Sequence, residues 1–177
     1  MEHLHHLIKT RDTSKLFVIA VASNSVSSSL KIFNILSKTF DIKFYSFHDQ
    51  VKDNNLSNFN FSQIFNFLNT MNRSIVFVTG QFALLSPLVD LSHFNIFIKS
   101  TEDSRLQSYL EQYPNSEETL NTYYTTIKRN YLLYCLQQLQ VADCVLTEDQ
   151  EGVDCPVSCA ISVPVTPYGD QCTSTQE

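Results

Sequence analysis

Apolar residues fall along this chain in short, nearly unbroken runs separated by polar stretches of helical periodicity. Leu16–Ser23 (LFVIAVAS) has the pattern of a strand buried on both faces. Ile42–Phe47 (IKFYSF), Ser74–Thr79 (SIVFVT), Phe94–Lys99 (FNIFIK) and Val141–Leu146 (VADCVL) predict four more strands, rich in β-branched and aromatic residues. Between them, Lys31–Phe40 and Phe61–Met71 carry apolar residues at helical spacing, and His48–Asn60 reads as a polar loop. Thr101-Glu102-Asp103 is an acidic helix start, with helix through about Glu111. After the break at Pro114-Asn115-Ser116, a long helix over roughly 117–140 is predicted to turn Leu120, Tyr124, Ile127, Tyr131, Tyr134 and Leu139 to the core. Strands alternating with helices imply an α/β fold: a three-layer αβα arrangement around a central, mostly parallel five-stranded sheet.

The same reading divides the chain into an N-terminal extension (1–14), one domain (15–149) and a tail (150–177) of Ser, Thr, Pro and Cys without clear periodicity. Within that tail Ala160–Val165 is a candidate edge strand. His3, His5 and His6 are expected in a solvated end. With 43% hydrophobic and 17% charged residues over 177 positions, the chain can bury a real core. A formal charge of -6 argues against nucleic acid or anionic membrane as a partner. The first residues lack the apolar centre of a signal peptide, and no apolar run has the length of a membrane span. A cytoplasmic or nuclear location is therefore expected. The five cysteines, an odd number, suit free thiols in a reducing compartment. Cys155 and Cys159 are spaced as half of a metal site, but no second pair has ligand spacing, so no metal is expected.

Candidate chemistry concentrates after the first strand. A Ser-rich turn, Asn24 to Leu30, precedes a helix expected to begin at Lys31. Strand, polar turn, lysine and helix make the layout of the phosphate-binding loop G-x-x-x-x-G-K-[ST]. Both glycine positions are occupied by other residues, Ser25 and Leu30, and Ile32 stands where a hydroxyl would meet Mg²⁺; no glycine precedes Gly80. Ser25, Ser27, Ser28, Ser29 and Lys31 are the candidate nucleotide-binding residues. The serines equally suit helix capping, and Lys31 a solvated helix position. Asp49 is the candidate catalytic residue, or simply a solvated loop acid. Arg105 is expected to pair with an acid on its own helix, and Tyr123, Tyr124, Tyr131 and Tyr134 to pack the long helix on the sheet.

From Leu16 to about Leu146 the order of landmarks resembles the uridine kinase and nicotinamide riboside kinase family of P-loop nucleoside kinases. VASNSVSSSLK (Val21–Lys31) is similar to that family's first strand and phosphate loop, with Lys31 in the lysine's place. Phe47-His48-Asp49 corresponds to its acidic ribose-holding motif, without the aromatic pair. Val76–Gly80 followed by FALL and Pro87 resembles its strand ending in Glu-Gly, with Thr79 replacing the glutamate. FNIFIKSTEDSRL resembles the strand leading to D-x-R-L, but the arginine-rich lid is missing; the chain has four arginines in all. VADCVL is similar to the family's final strand.

The resemblance implies a P-loop fold whose site has been dismantled. Left-handed backbone at the former glycines costs roughly 1–2 kcal/mol per residue. A lost charged ligand costs roughly 1.5–3 kcal/mol. Together these remove about three decades or more of nucleotide affinity. Three functions follow as expectations. The first is a catalytically inactive kinase-like protein working through a protein partner or a homo-oligomer, with no cofactor. The second is a residual nucleoside kinase using ATP and Mg²⁺, with Lys31 on the phosphates and Asp49 on the ribose hydroxyl. The third is a sensor that still takes a nucleoside.

Overall fold

The computed structural model describes residues 1–48, 59–113 and 116–148. Asp49, the predicted edge strand at Ala160–Val165, and Cys155, Cys159 and Cys172 lie outside them. Among the described residues five strands form: β1 (Phe17–Ala22), β2 (Ile42–Ser46), β3 (Ile75–Gly80), β4 (Phe94–Lys99) and β5 (Cys144–Thr147). They make one sheet in the order β2-β3-β1-β4-β5, with every neighbouring pair parallel. The α/β class and five-stranded sheet expected from the apolar runs are present. β1 lies at the centre and is buried along its whole length, as its unbroken apolar sequence requires.

Alternation along the strands sends side chains to two separate cores. On one face Phe17, Ile19 and Val21 of β1 meet Ile32 and Leu36 of α2 (Val26–Ser37). α1 (Glu2–Thr10) lies on this face too, with Leu4 and Ile8 fully buried. The N-terminus is thus a packed helix: His3 and His6 are exposed as expected, whereas the His5 ring stands edge-on to Phe40 with centroids 5.2 Å apart. On the other face Val18, Ala20 and Ala22 meet α3 (Ser62–Thr70), the turn Phe82–Leu88 and the long C-terminal helix. Helices cover both faces, so the layers are αβα.

α4 (Glu102–Gln112) turns a short apolar stripe, Leu106, Tyr109 and Leu110, inward, each only partly buried. Thr101 caps it, its hydroxyl accepting from the Ser104 amide. Residues 117–141 form one continuous helix, α5, opened by Glu117–Thr122 and capped by Ser116, which accepts from the Thr119 amide. Two wide π-type turns interrupt it, Tyr123–Ile127 and Tyr131–Cys135, and its last stretch, Leu136–Val141, tightens to 3-10. Its inward residues are Tyr123, Ile127, Tyr131, Cys135 and Gln138, whereas Tyr124 is half exposed. From Tyr123 to Cys135 the inward spacing is four residues, wider than the 3.6 of a regular helix, and the π turns supply the extra length. Val141 closes α5, so β5 starts at Cys144, three residues later than expected. Among the described residues no helix is long and apolar enough to cross a membrane.

Burial pushes the Cys135 thiol up to about 12 from the usual 9. In the unfolded chain this thiol ionises near 9, whereas the folded protein holds it neutral to about 12. Its contribution to stability is therefore complete below pH 9 and drains away as pH rises from 9 to 12. Burial raises Tyr123 and Tyr131 as well, in the same direction. Urea denaturation across this alkaline range should show falling stability, with a shallower fall in Cys135→Ala.

Candidate functional site

β1 and β4 are neighbours whose connections depart in opposite directions: β1 leads through α2 to β2, β4 through α4 and α5 to β5. Such a divergence opens a crevice at the carboxyl ends of the strands, the usual ligand position in parallel sheets. A cleft of about 110 Å³ lies there. Its floor comes from Asn24 and Ser25 after β1, Gln81 after β3, Ser100 after β4 and Glu148 after β5; α4 and α5 form its walls.

The loop after β1 has only three residues, Ser23, Asn24 and Ser25. The Ser23 hydroxyl closes it, accepting from the Ser25 amide at 3.1 Å and donating to the Ser25 carbonyl at 2.8 Å. Asn24 Nδ2 donates to Ser100 Oγ at 2.9 Å, tying this loop to the end of β4. His48 Nε2 lies 3.0 Å from the Ser23 carbonyl and its Nδ1 3.0 Å from Ser46 Oγ. Ser25 is the extended N-cap, and α2 begins at Val26, not at Lys31. The expected seven-residue turn is mostly the first turn of a helix.

That correction removes the strain expected of glycine-free phosphate loops. Arg73 is the single non-glycine residue with positive φ among those described, far from this loop. Serines and a valine adopt ordinary helical angles at no such cost, so the chain builds a helix where a loop rich in glycine would wrap an anion.

The candidate residues separate accordingly. Ser25 lines the cleft, and its hydroxyl is 2.7 Å from that of the exposed Ser27. Ser28 donates to the carboxylate of Glu148, which brings a negative charge to the amino end of α2. Ser29 is fully buried, its hydroxyl 2.6 Å from that of Thr79, which in turn donates to the Val21 carbonyl at 3.1 Å. Lys31 is exposed on α2 and lines no part of the cleft; among the described residues it forms no ion pair. Ser25, Ser27, Ser28 and Ser29 are therefore together, but Lys31 points elsewhere.

Arg105 is the residue most misjudged in the sequence. It pairs with no acid on α4. Nη1 donates to the Ser100 carbonyl at 2.6 Å, and the guanidinium stacks 3.8 Å over the Tyr131 ring. Tyr123 packs on Tyr109 of α4, ring centroids 5.6 Å apart, and its hydroxyl donates to the Glu102 carbonyl. Lys128 and Glu102 close the outer wall through a 2.6 Å ion pair, and this hydrogen bond holds the lysine above its usual pKa. Tyr131 does pack toward the sheet as expected, and desolvation raises its hydroxyl pKa against the opposing pull of Arg105. Glu148 and Gln81 were not singled out in the sequence: each is one polar residue just past a strand end, a signal shared with every loop.

No protein-family model matches the chain, and no curated protein sequence matches it.

Proposed function

We propose that this chain is a catalytically inactive P-loop nucleoside-kinase-like protein that acts by binding another protein or a second copy of itself. The start of α2 carries this reading. A phosphate loop needs a string of amides bent around one anion. Here the Ser29 amide already donates to the Ser25 carbonyl, and the carboxylate of Glu148 sits on Ser28. A triphosphate entering there would meet a like charge. The position corresponding to the family's glutamate holds Thr79, sealed against Ser29 and Val21. A residual kinase would need Lys31 on the phosphates, and its exposed place on α2 does not favour that role.

A binding role draws support from the outer side of α5. Tyr124 and Leu132 lie eight residues apart on this four-residue repeat, and together with Leu133 each is about half exposed. Large apolar side chains grouped in solvent mark contact surfaces. Thermal unfolding with millimolar Mg-ATP should leave Tm unchanged, and phosphate transfer to uridine, cytidine or nicotinamide riboside should be at background in both the parent and Lys31→Ala. A rise of several degrees would show that the site still takes nucleotide, and transfer abolished by Lys31→Ala would establish the kinase instead. If the exposed face joins two copies, sedimentation of Leu132→Glu will show monomer where the parent shows dimer.

A further inference from the structure

The cleft carries hydrogen-bonding capacity that the described part of the protein leaves unused. Tyr131 is 2% exposed, yet its Oη has no hydrogen-bond partner among the described residues. The same holds for Arg105 Nε and Gln81 Oε1. These are three of the five buried side-chain atoms so orphaned among the described residues, and all three belong to residues lining this one cleft. Native proteins leave few buried polar atoms unpaired, so three on the walls of one hollow point to an absent partner. Independently, Tyr123 and Tyr131 each open a π-type turn, and such turns recur at functional sites.

The unpaired groups specify the chemistry. Arg105 stacks on Tyr131, so the pair carries an unpaired N–H donor, an unpaired O–H donor and a positive charge that no described carboxylate neutralises. A carboxylate accepts from both and supplies the counter-charge. Gln81 Oε1 is an acceptor, and Glu148 adds negative charge to the same cleft. These call for a donor bearing positive charge. Rings of Tyr109, Tyr113 and Tyr123 supply an apolar and cation-attracting wall between them. At about 110 Å³ the hollow holds several waters or one small organic molecule.

We propose that the cleft binds a small zwitterionic carboxylate of the α-amino-acid class through Arg105, Tyr131 and Gln81. The three binding residues lie outside the phosphate-loop segment, although Arg105 belongs to the stretch that resembles D-x-R-L. Phosphate fits poorly, being an anion with no positively charged group to set beside Glu148.

Calorimetric titration of the full chain with each common amino acid, and with acetate and inorganic phosphate as controls, tests it. At least one amino acid is expected to bind at a single site, with acetate and phosphate roughly tenfold or more weaker. Tyr131→Phe keeps the ring beneath Arg105 and removes only the hydroxyl. It should weaken binding roughly tenfold or more while the ligand-free variant melts no lower than the parent, because the lost hydroxyl had no partner. The proposal is overturned if no amino acid binds at millimolar concentration. Phosphate binding as tightly as any amino acid overturns it too, as does unchanged affinity or a clearly lowered melting point in Tyr131→Phe.

Discussion

Gly80→Ala is expected to destabilise the protein by about 3 kcal/mol or more, the upper end for overpacking. Gly80 is the last residue of β3, and a Cβ built there falls 2.1 Å from Phe47 Cε2 and 2.4 Å from two more atoms of that ring. Phe47 is fully buried, with Phe59 tilted against it at 4.9 Å between centroids, so the ring has little room to withdraw. The glycine serves a close approach of backbone to ring, not an unusual φ. At roughly 2–4 °C per kcal/mol for a domain of this size, Tm should drop by about 6–12 °C. Shortening the ring in Phe47→Leu should restore part of the loss. The double variant will then be more stable than the two single effects summed. Equal melting of Gly80→Ala and the parent would mean that the β3–Phe47 packing is wrong.

The central strands are legible because burial on both faces leaves little choice of residue: β1 and β3 are buried at every position. β4 has the bounds that its apolar run predicts. The start of α2 was not legible. Serine serves equally as loop residue and helix cap, and a lysine at the right distance from a strand suggested a loop that the backbone does not form. What decides is the Ser23 hydroxyl closing a three-residue turn, a contact with no sequence signal of its own.

In α5 the period explains the one residue that differs. A 3.6-residue repeat selects Tyr124, which is half exposed, although Tyr134 does pack on the core; the fully buried side runs Tyr123, Ile127, Tyr131, Cys135. Three consecutive intervals of four were visible in the sequence and would have identified the widened helix. Arg105 was missed for a different reason: its partners, Ser100 and Tyr131, are a backbone carbonyl and a ring, neither recognisable from charge pattern. Thus the scaffold of the cleft was readable, and the groups inside it were not, because they depend on where α4 and α5 meet the ends of β1 and β4.

Gln138 shows the same limit and leads to the second large effect. It sits on α5 among apolar neighbours at 1% exposure. Its Oε1 accepts from the Leu84 amide at 2.8 Å, and its Nε2 donates to the Gln81 carbonyl at 2.7 Å and to the Tyr134 carbonyl at 3.3 Å. One side chain thereby satisfies both ends of the turn after β3, whose backbone has no strand partner at that point. Gln138→Leu preserves much of the volume but strands the Leu84 amide and the Gln81 carbonyl. With each of the two buried orphans costing about 1–3 kcal/mol, a loss of about 2–6 kcal/mol is expected in urea denaturation. Gln138→Glu discriminates packing from hydrogen bonding. Its carboxylate can still accept from Leu84, but it can donate to Gln81 only when protonated. Burial and the facing carbonyl raise the folded-state pKa of this glutamate above its unfolded value, so the variant should be firmest in mild acid and weaken as pH rises through that raised value. A pH-independent loss equal to that of Gln138→Leu would leave shape, and not the paired hydrogen bonds, holding the turn to α5.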